Sequence, residues 1–124
     1  MSELKWPRFK VEVPGRGLMQ CEAMSPFESI ELNDATAGMA DATAGWCRIG
    51  ALIGLSWDGA PDADRGDTLA NYGRNVVEAL HKAGWRQSEM ATFARLISEA
   101  VLKGETEEAE QRADFSEAQE GAAG

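Results

Sequence analysis

The amino-acid sequence predicts a mainly α protein: a small domain of about four helices, with an N-terminal β-hairpin and a disordered acidic C-terminal tail. Three observations carry that expectation. Apolar residues recur at helical spacing through two consecutive segments within residues 67–103. A stretch near the N-terminus alternates apolar and polar residues around a Pro-Gly turn, as a half-buried strand pair does. Beyond residue 104 the apolar pattern stops and acidic residues take over. Residues 1–104 are therefore read as one helical domain with the hairpin at 9–23, and residues 105–124 as the tail.

In chain order, Phe9-Lys10-Val11-Glu12-Val13 alternates with period two. Pro14-Gly15-Arg16-Gly17 is a turn signal, and residues 18–23 return with Met19, Cys21 and Ala23 on one face. A lone two-stranded hairpin is marginal in water, so it should lie on the helices. Ser25-Pro26-Phe27-Glu28 is a capping box with proline in the first turn. The helix it opens is expected over 26 to about 33, burying Phe27, Ile30 and Leu32.

From residue 35 to 57 the composition shifts to Ala, Gly and Thr. Met39, Ala42, Trp46, Ile49, Ile53 and Trp57 fall on helical steps, which predicts a helix from about 39 to 57. Gly45, Gly50 and Gly54 would each cost such a helix about 1 kcal/mol against alanine. They are tolerable where another segment approaches closely, and Gly50-x-x-x-Gly54 permits tight helix–helix contact. Residues 58–67 then read as an acidic surface loop.

The segment 67–103 is the organising one. Leu69, Tyr72, Val76, Leu80 and Ala83, widened by Val77, form one apolar stripe, while Arg74, Asn75, Glu78 and Lys82 fall elsewhere and should be wet. Asp67 or Thr68 can cap its start. Gly84 suits the position just past its end, so the chain should break at Ala83-Gly84-Trp85. Met90, Phe93, Ala94, Ile97, Ala100 and Val101 repeat the pattern in a second helix, closed by Gly104. Removing such side chains from water is worth about 1.5–3 kcal/mol each before entropy is subtracted, and the pair needs further surface to pack on.

Charge limits the partners. The formal net charge is −9 with a pI near 4.5, but residues 105–124 hold seven acidic residues against Arg112 alone. Nucleic acid is a poor partner for such a chain, because phosphate contacts need clustered Lys and Arg. The most apolar run, residues 49–57, is too short to span a bilayer, and the polar N-terminus MSELKWPRFK has no apolar core of a signal peptide. A soluble chain in a reducing compartment, with Cys21 and Cys47 as free thiols, is expected.

The remaining motifs favour structure over chemistry. Asp58, Asp62, Asp64 and Asp67 suggest calcium, but counting from Asp62 puts Gly66, Asp67 and Gly73 at positions five, six and twelve of an EF-hand loop, and the match fails. Cys21, Cys47 and His81 lack zinc-ligand spacing. His81 and Lys82 instead suit a helix C-terminus. Residues 83–91 look like the first half of a helix-turn-helix, yet 92–103 runs on without a second turn. Arg65-Gly66-Asp67 spells an adhesion tripeptide by chance. Lys5-Trp6-Pro7-Arg8-Phe9-Lys10 interleaves basic and aromatic residues, as a base-stacking segment does, but reads better as a strand entry with snorkelling side chains. No enzyme, cofactor, metal or catalytic residue is expected. The basic N-terminus and acidic C-terminus also raise the expectation that the tail contacts the hairpin until a partner competes for it.

Taken together, the layout resembles the small tail assembly chaperones of long-tailed bacteriophages. The pieces are the strands at 9–13 and 18–23, Ser25-Pro26-Phe27-Glu28 opening the helices, the helix pair at 69–103 and the acidic extension from Glu105. The resemblance implies a non-enzymatic protein of the bacterial host cytoplasm that binds the tape-measure protein and assists assembly of the tail-tube protein. A longer frameshifted form often accompanies it. Such a chaperone needs an apolar groove rimmed by charge. Met39, Trp46, Trp57, Trp85 and Met90, with Phe115 of the tail, are the candidate partner-binding residues, although core packing accounts for at least half of the first five. The same apolar residues leave homo-oligomerisation open. The alternative is an acidic inhibitor that mimics DNA and blocks a host nucleic-acid-binding enzyme through the 58–67 loop or the tail.

Overall fold

The structure is a computed structural model in which residues 8–103 are described. Strands β1 (Arg8–Val13) and β2 (Gly17–Glu22) pair antiparallel, with Phe9 opposite Cys21 and Val11 opposite Met19. Pro14 and Gly15, the latter at φ +83°, occupy the central positions of the turn, and the Arg16 amide donates to the Val13 carbonyl at 2.9 Å. This is the residue pattern of a type II turn. Val11, Val13, Met19 and Cys21 face inward and are buried, so period two places one face of the hairpin on the helices.

Four helices follow among the described residues: α1 (Pro26–Thr36), α2 (Asp41–Ser56), α3 (Leu69–Lys82) and α4, over residues 87–103. The capping box of α1 is complete, since Ser25 Oγ accepts from the Glu28 amide and Glu28 Oε1 accepts from the Ser25 amide, both at 3.1 Å. Thr68 caps α3 by accepting from the Asn71 amide. Gly84, at φ +93°, turns the chain between α3 and α4. Both apolar stripes of that pair are inward, with Val76, Phe93 and Ile97 fully enclosed.

The centre of the body is the crossing of α2 and α3. A methyl group built on Gly50 would overlap the Gly73 carbonyl oxygen and come within 2.6 Å of its carbon. One built on Gly73 would lie 2.8 Å from the Ala51 nitrogen and 2.9 Å from the Cys47 carbonyl carbon. A methyl group built on Gly54 would instead meet side chains, the Tyr72 ring and, at 2.8 Å, Val76 Cγ2. The glycines thus let two helix backbones touch, and the contact offsets their poor helix propensity.

Several expectations need correction. Helix α2 begins at Asp41 and ends at Ser56, so Met39 precedes it. Trp57 has extended backbone and forms an isolated antiparallel bridge to Cys21, while the Asp58 amide donates to the Gln20 carbonyl at 3.0 Å, tying the end of α2 to the edge of the two-stranded hairpin. Ala83 is exposed, because α3 ends at Lys82. Helix α1 runs to Thr36, whose buried hydroxyl donates to the Leu32 carbonyl and accepts from Arg48 Nε at 3.0 Å. Phe27 and Ile30 are not buried: they are 80% and 58% exposed, while Leu32 is inside. At about 100° per residue, Phe27 and Ile30 point away from Leu32, and one helix laid on a body buries one face.

Candidate protein-binding groove

The aromatic candidates sort by position. Trp57, Trp85 and Phe93 form a cluster with ring centroids 5.4–5.8 Å apart. Trp85 and Met90 are 5% and 1% exposed and belong to the core, so they present no surface to a partner. Trp46 and Trp57 are half-buried against the same core. Met39 is half-buried in the link between α1 and α2. Phe115 and the tail lie outside the described residues, as does the expected contact between tail and hairpin.

Arg16 holds the hairpin turn to the corner between α3 and α4. Its guanidinium lies 4.3 Å from the Trp85 ring centre, donates to the Gly84 carbonyl at 3.1 Å and pairs with Glu89 at 3.0 Å. Glu89 also accepts from the Arg86 amide at 2.8 Å, closing the start of α4. The Arg16 hydrogen bond, with the Arg86 amide second, holds the Glu89 carboxyl below its ordinary range. At the other end of the hairpin Arg8 pairs with Asp58 and, at 3.7 Å, with Glu22. These groups explain how the hairpin is seated.

Cys21 is fully buried, and burial first, then the charge of Asp58, pushes its thiol up to about 11 against the opposing effect of Arg8. Such a thiol is a core side chain and a poor nucleophile. His81 is exposed on the last turn of α3. Among the described residues no three His, Cys, Asp or Glu side chains are placed to hold a metal ion. No described helix is long and apolar enough to cross a membrane.

What remains is a groove between α1 and α4. Met24, Pro26 and Ile30 form one wall, Val101 and Leu102 the other, and Leu52 of α2 the floor, enclosing about 490 Å³. Ser29 and Ser98 also line it. Phe27 stands one helical turn before Ile30 on the outer face of α1. None of the sequence candidates among the described residues lines this groove. The signal that locates it was present in α1, where Phe27 and Ile30 share one face and Leu32 and Thr36 the other. No family model matches the chain, and no curated protein or solved structure shows significant similarity to it.

Proposed function

We propose that the protein is a non-enzymatic phage tail assembly chaperone that holds the tape-measure protein through the groove between α1 and α4. The observation that supports this reading is the apolar groove lined by Ile30, 58% exposed, with Phe27, 80% exposed, one turn earlier on the outer face of α1. An exposed apolar surface of this kind marks a binding site when it is contiguous and concave. An amphipathic client helix seats apolar side chains at helical spacing in such a groove. The client's binding removes both apolar faces from water and keeps a long helical chain from aggregating before assembly. The described side chains act here as a surface and carry out no bond chemistry.

The test is genetic context followed by co-expression. A tail-tube gene upstream and a very long tape-measure gene downstream are expected beside the coding sequence. Co-expressing the protein with that long product should move the product from the insoluble to the soluble fraction and yield a stable complex. Recovery of a nuclease or other nucleic-acid enzyme in its place, with affinity collapsing as salt rises, would instead establish the acidic inhibitor.

A further inference from the structure

We infer that the free edge of the hairpin pairs with the same edge of a second copy of this chain, β1 against β1, antiparallel about Val11. The inference stands on the hairpin and is independent of the groove between α1 and α4. One contact fixes which way the backbone groups point. The Gln20 carbonyl accepts from the Asp58 amide, so the main-chain groups of Gln20 point away from β1. Gln20 is opposite Lys10, and bonded and non-bonded pairs alternate along an antiparallel ladder. The amides and carbonyls of Phe9, Val11 and Val13 therefore turn to β2, and those of Arg8, Lys10 and Glu12 turn outward. Among the described residues no backbone group bonds to that outward edge. The opposite edge differs, because Trp57 and Asp58 already occupy it.

An open strand edge is a template for another strand, and the charges of β1 fit its own copy. The added strand must keep its apolar residues on the helix side, where Val11 and Val13 are buried. Two copies related by a twofold axis can do so about Phe9, Lys10, Val11 or Glu12. A register about Phe9 sets Arg8 against Lys10 of the second copy, and one about Glu12 opposes the two glutamates. A register about Lys10 opposes the two lysines, and its complementary pair would need Arg8, which Asp58 and Glu22 already hold. Like charges directly opposite destabilise a strand pair. The register about Val11 alone sets Lys10 against Glu12 of the second copy, and the symmetry repeats that pair. In it Lys10 and Glu12 of the second copy also exchange both main-chain hydrogen bonds, since their backbone groups face the edge. On the inner face Val11 meets its counterpart, and the half-buried Phe9 meets Val13 of the second copy. Because Trp57 closes the edge of β2, pairing stops at a four-stranded sheet and gives a closed dimer.

Sedimentation of the full chain over a dilution series at low salt tests this. The parent should pass from monomer to dimer as its concentration rises to about 1 mM. Lys10→Glu and Glu12→Lys should each weaken self-association by about tenfold, the factor that turning two opposed charge pairs into like pairs supplies. An equimolar mixture of the two variants should associate as tightly as the parent, because every glutamate again faces a lysine. The double variant Lys10→Glu with Glu12→Lys should do the same on its own. Lys10 and Glu12 are exposed, so each variant should keep the thermal midpoint of the parent when dilute.

A parent chain that stays monomeric throughout the series overturns the inference. So does a dimer that both single variants preserve, or a mixture of the two that associates no more tightly than either alone. A dimer that is lost on replacing Phe27 and Ile30 by serine, while Lys10→Glu leaves it intact, also overturns it, because the contact then lies at the groove.

Discussion

Replacing Gly50 by alanine is the sharpest perturbation of the fold. The new methyl would overlap the Gly73 carbonyl oxygen, approach its carbon to 2.6 Å and the Val77 Cγ2 to 2.9 Å. Carbon atoms prefer about 3.5–4.0 Å, so α2 and α3 must part by about 1 Å along their whole contact. The principal obstacle is backbone, which cannot swing aside as a side chain does. Overpacking a core typically costs about 1–3 kcal/mol, and a backbone obstacle puts this site at the upper end. Alanine returns about 1 kcal/mol of helix propensity, leaving a net loss of about 2 kcal/mol or more. For a domain of this size that lowers the thermal midpoint by about 8–16 °C. Gly45 lies in the same helix with nothing within 4 Å of a built methyl, so Gly45→Ala should raise stability by about 0.5–1 kcal/mol. Urea and thermal unfolding of both variants measure the difference. A Gly50→Ala protein as stable as Gly45→Ala would refute the close crossing of α2 and α3.

Three further outcomes follow from buried and paired groups. Ser56 Oγ is buried without a hydrogen-bond partner among the described residues, so Ser56→Ala should leave stability unchanged or raise it by up to about 1 kcal/mol in urea unfolding; a loss larger than that would show that the hydroxyl is satisfied. The Glu89 carboxyl is held low by Arg16 and then by the Arg86 amide, so its contribution is present above the ordinary carboxylate pKa of about 4.3 and is lost as pH falls through the lower folded value. Urea midpoints measured across that range should show a shallower acid limb in Glu89→Gln, and an unchanged limb would remove the linkage. The Cys21 thiol is raised to about 11, so its contribution is full below the unfolded thiol value of about 8.5 and is lost as pH rises towards the folded one. At about pH 8 a thiol reagent, with the label located by mass spectrometry, should modify Cys21 slowly in the native protein and rapidly in denaturant. Fast native labelling would contradict its burial.

Much of this fold was legible because local chemistry and tertiary packing agree. Ser25 and Glu28 declare a helix start, Gly84 declares an end, and the stripes through Val76 and Ile97 each have one obvious inner face. The glycines of α2 were legible as a demand for close approach, though their partner Gly73 was not, since pairing between distant segments leaves no periodic trace. Trp57 lies on the helical spacing of α2 but leaves the helix to pair with Cys21, a tertiary bridge that overrides the pattern. The groove was missed for a different reason. Large aromatic and sulfur side chains suggest stickiness, and Trp85 and Met90 were natural candidates, but a small body needs its largest side chains inside. The exposed apolar residues sit on α1, where Phe27 and Ile30 compete with Leu32 for the inner face. The capping box fixes where that helix starts and leaves its rotation about its own axis to the packing of Leu32 and Thr36.

The central claim is that Phe27 and Ile30 border the surface that holds the client, and its most direct measurement is client solubility with both residues replaced. The Phe27→Ser and Ile30→Ser double variant, co-expressed with the tape-measure protein that the proposed function expects beside its coding sequence, should unfold at the parent's midpoint. It should also leave the client in the insoluble fraction. A double variant that keeps the client soluble and bound as the parent chain does would contradict the claim and place the binding surface elsewhere on the molecule.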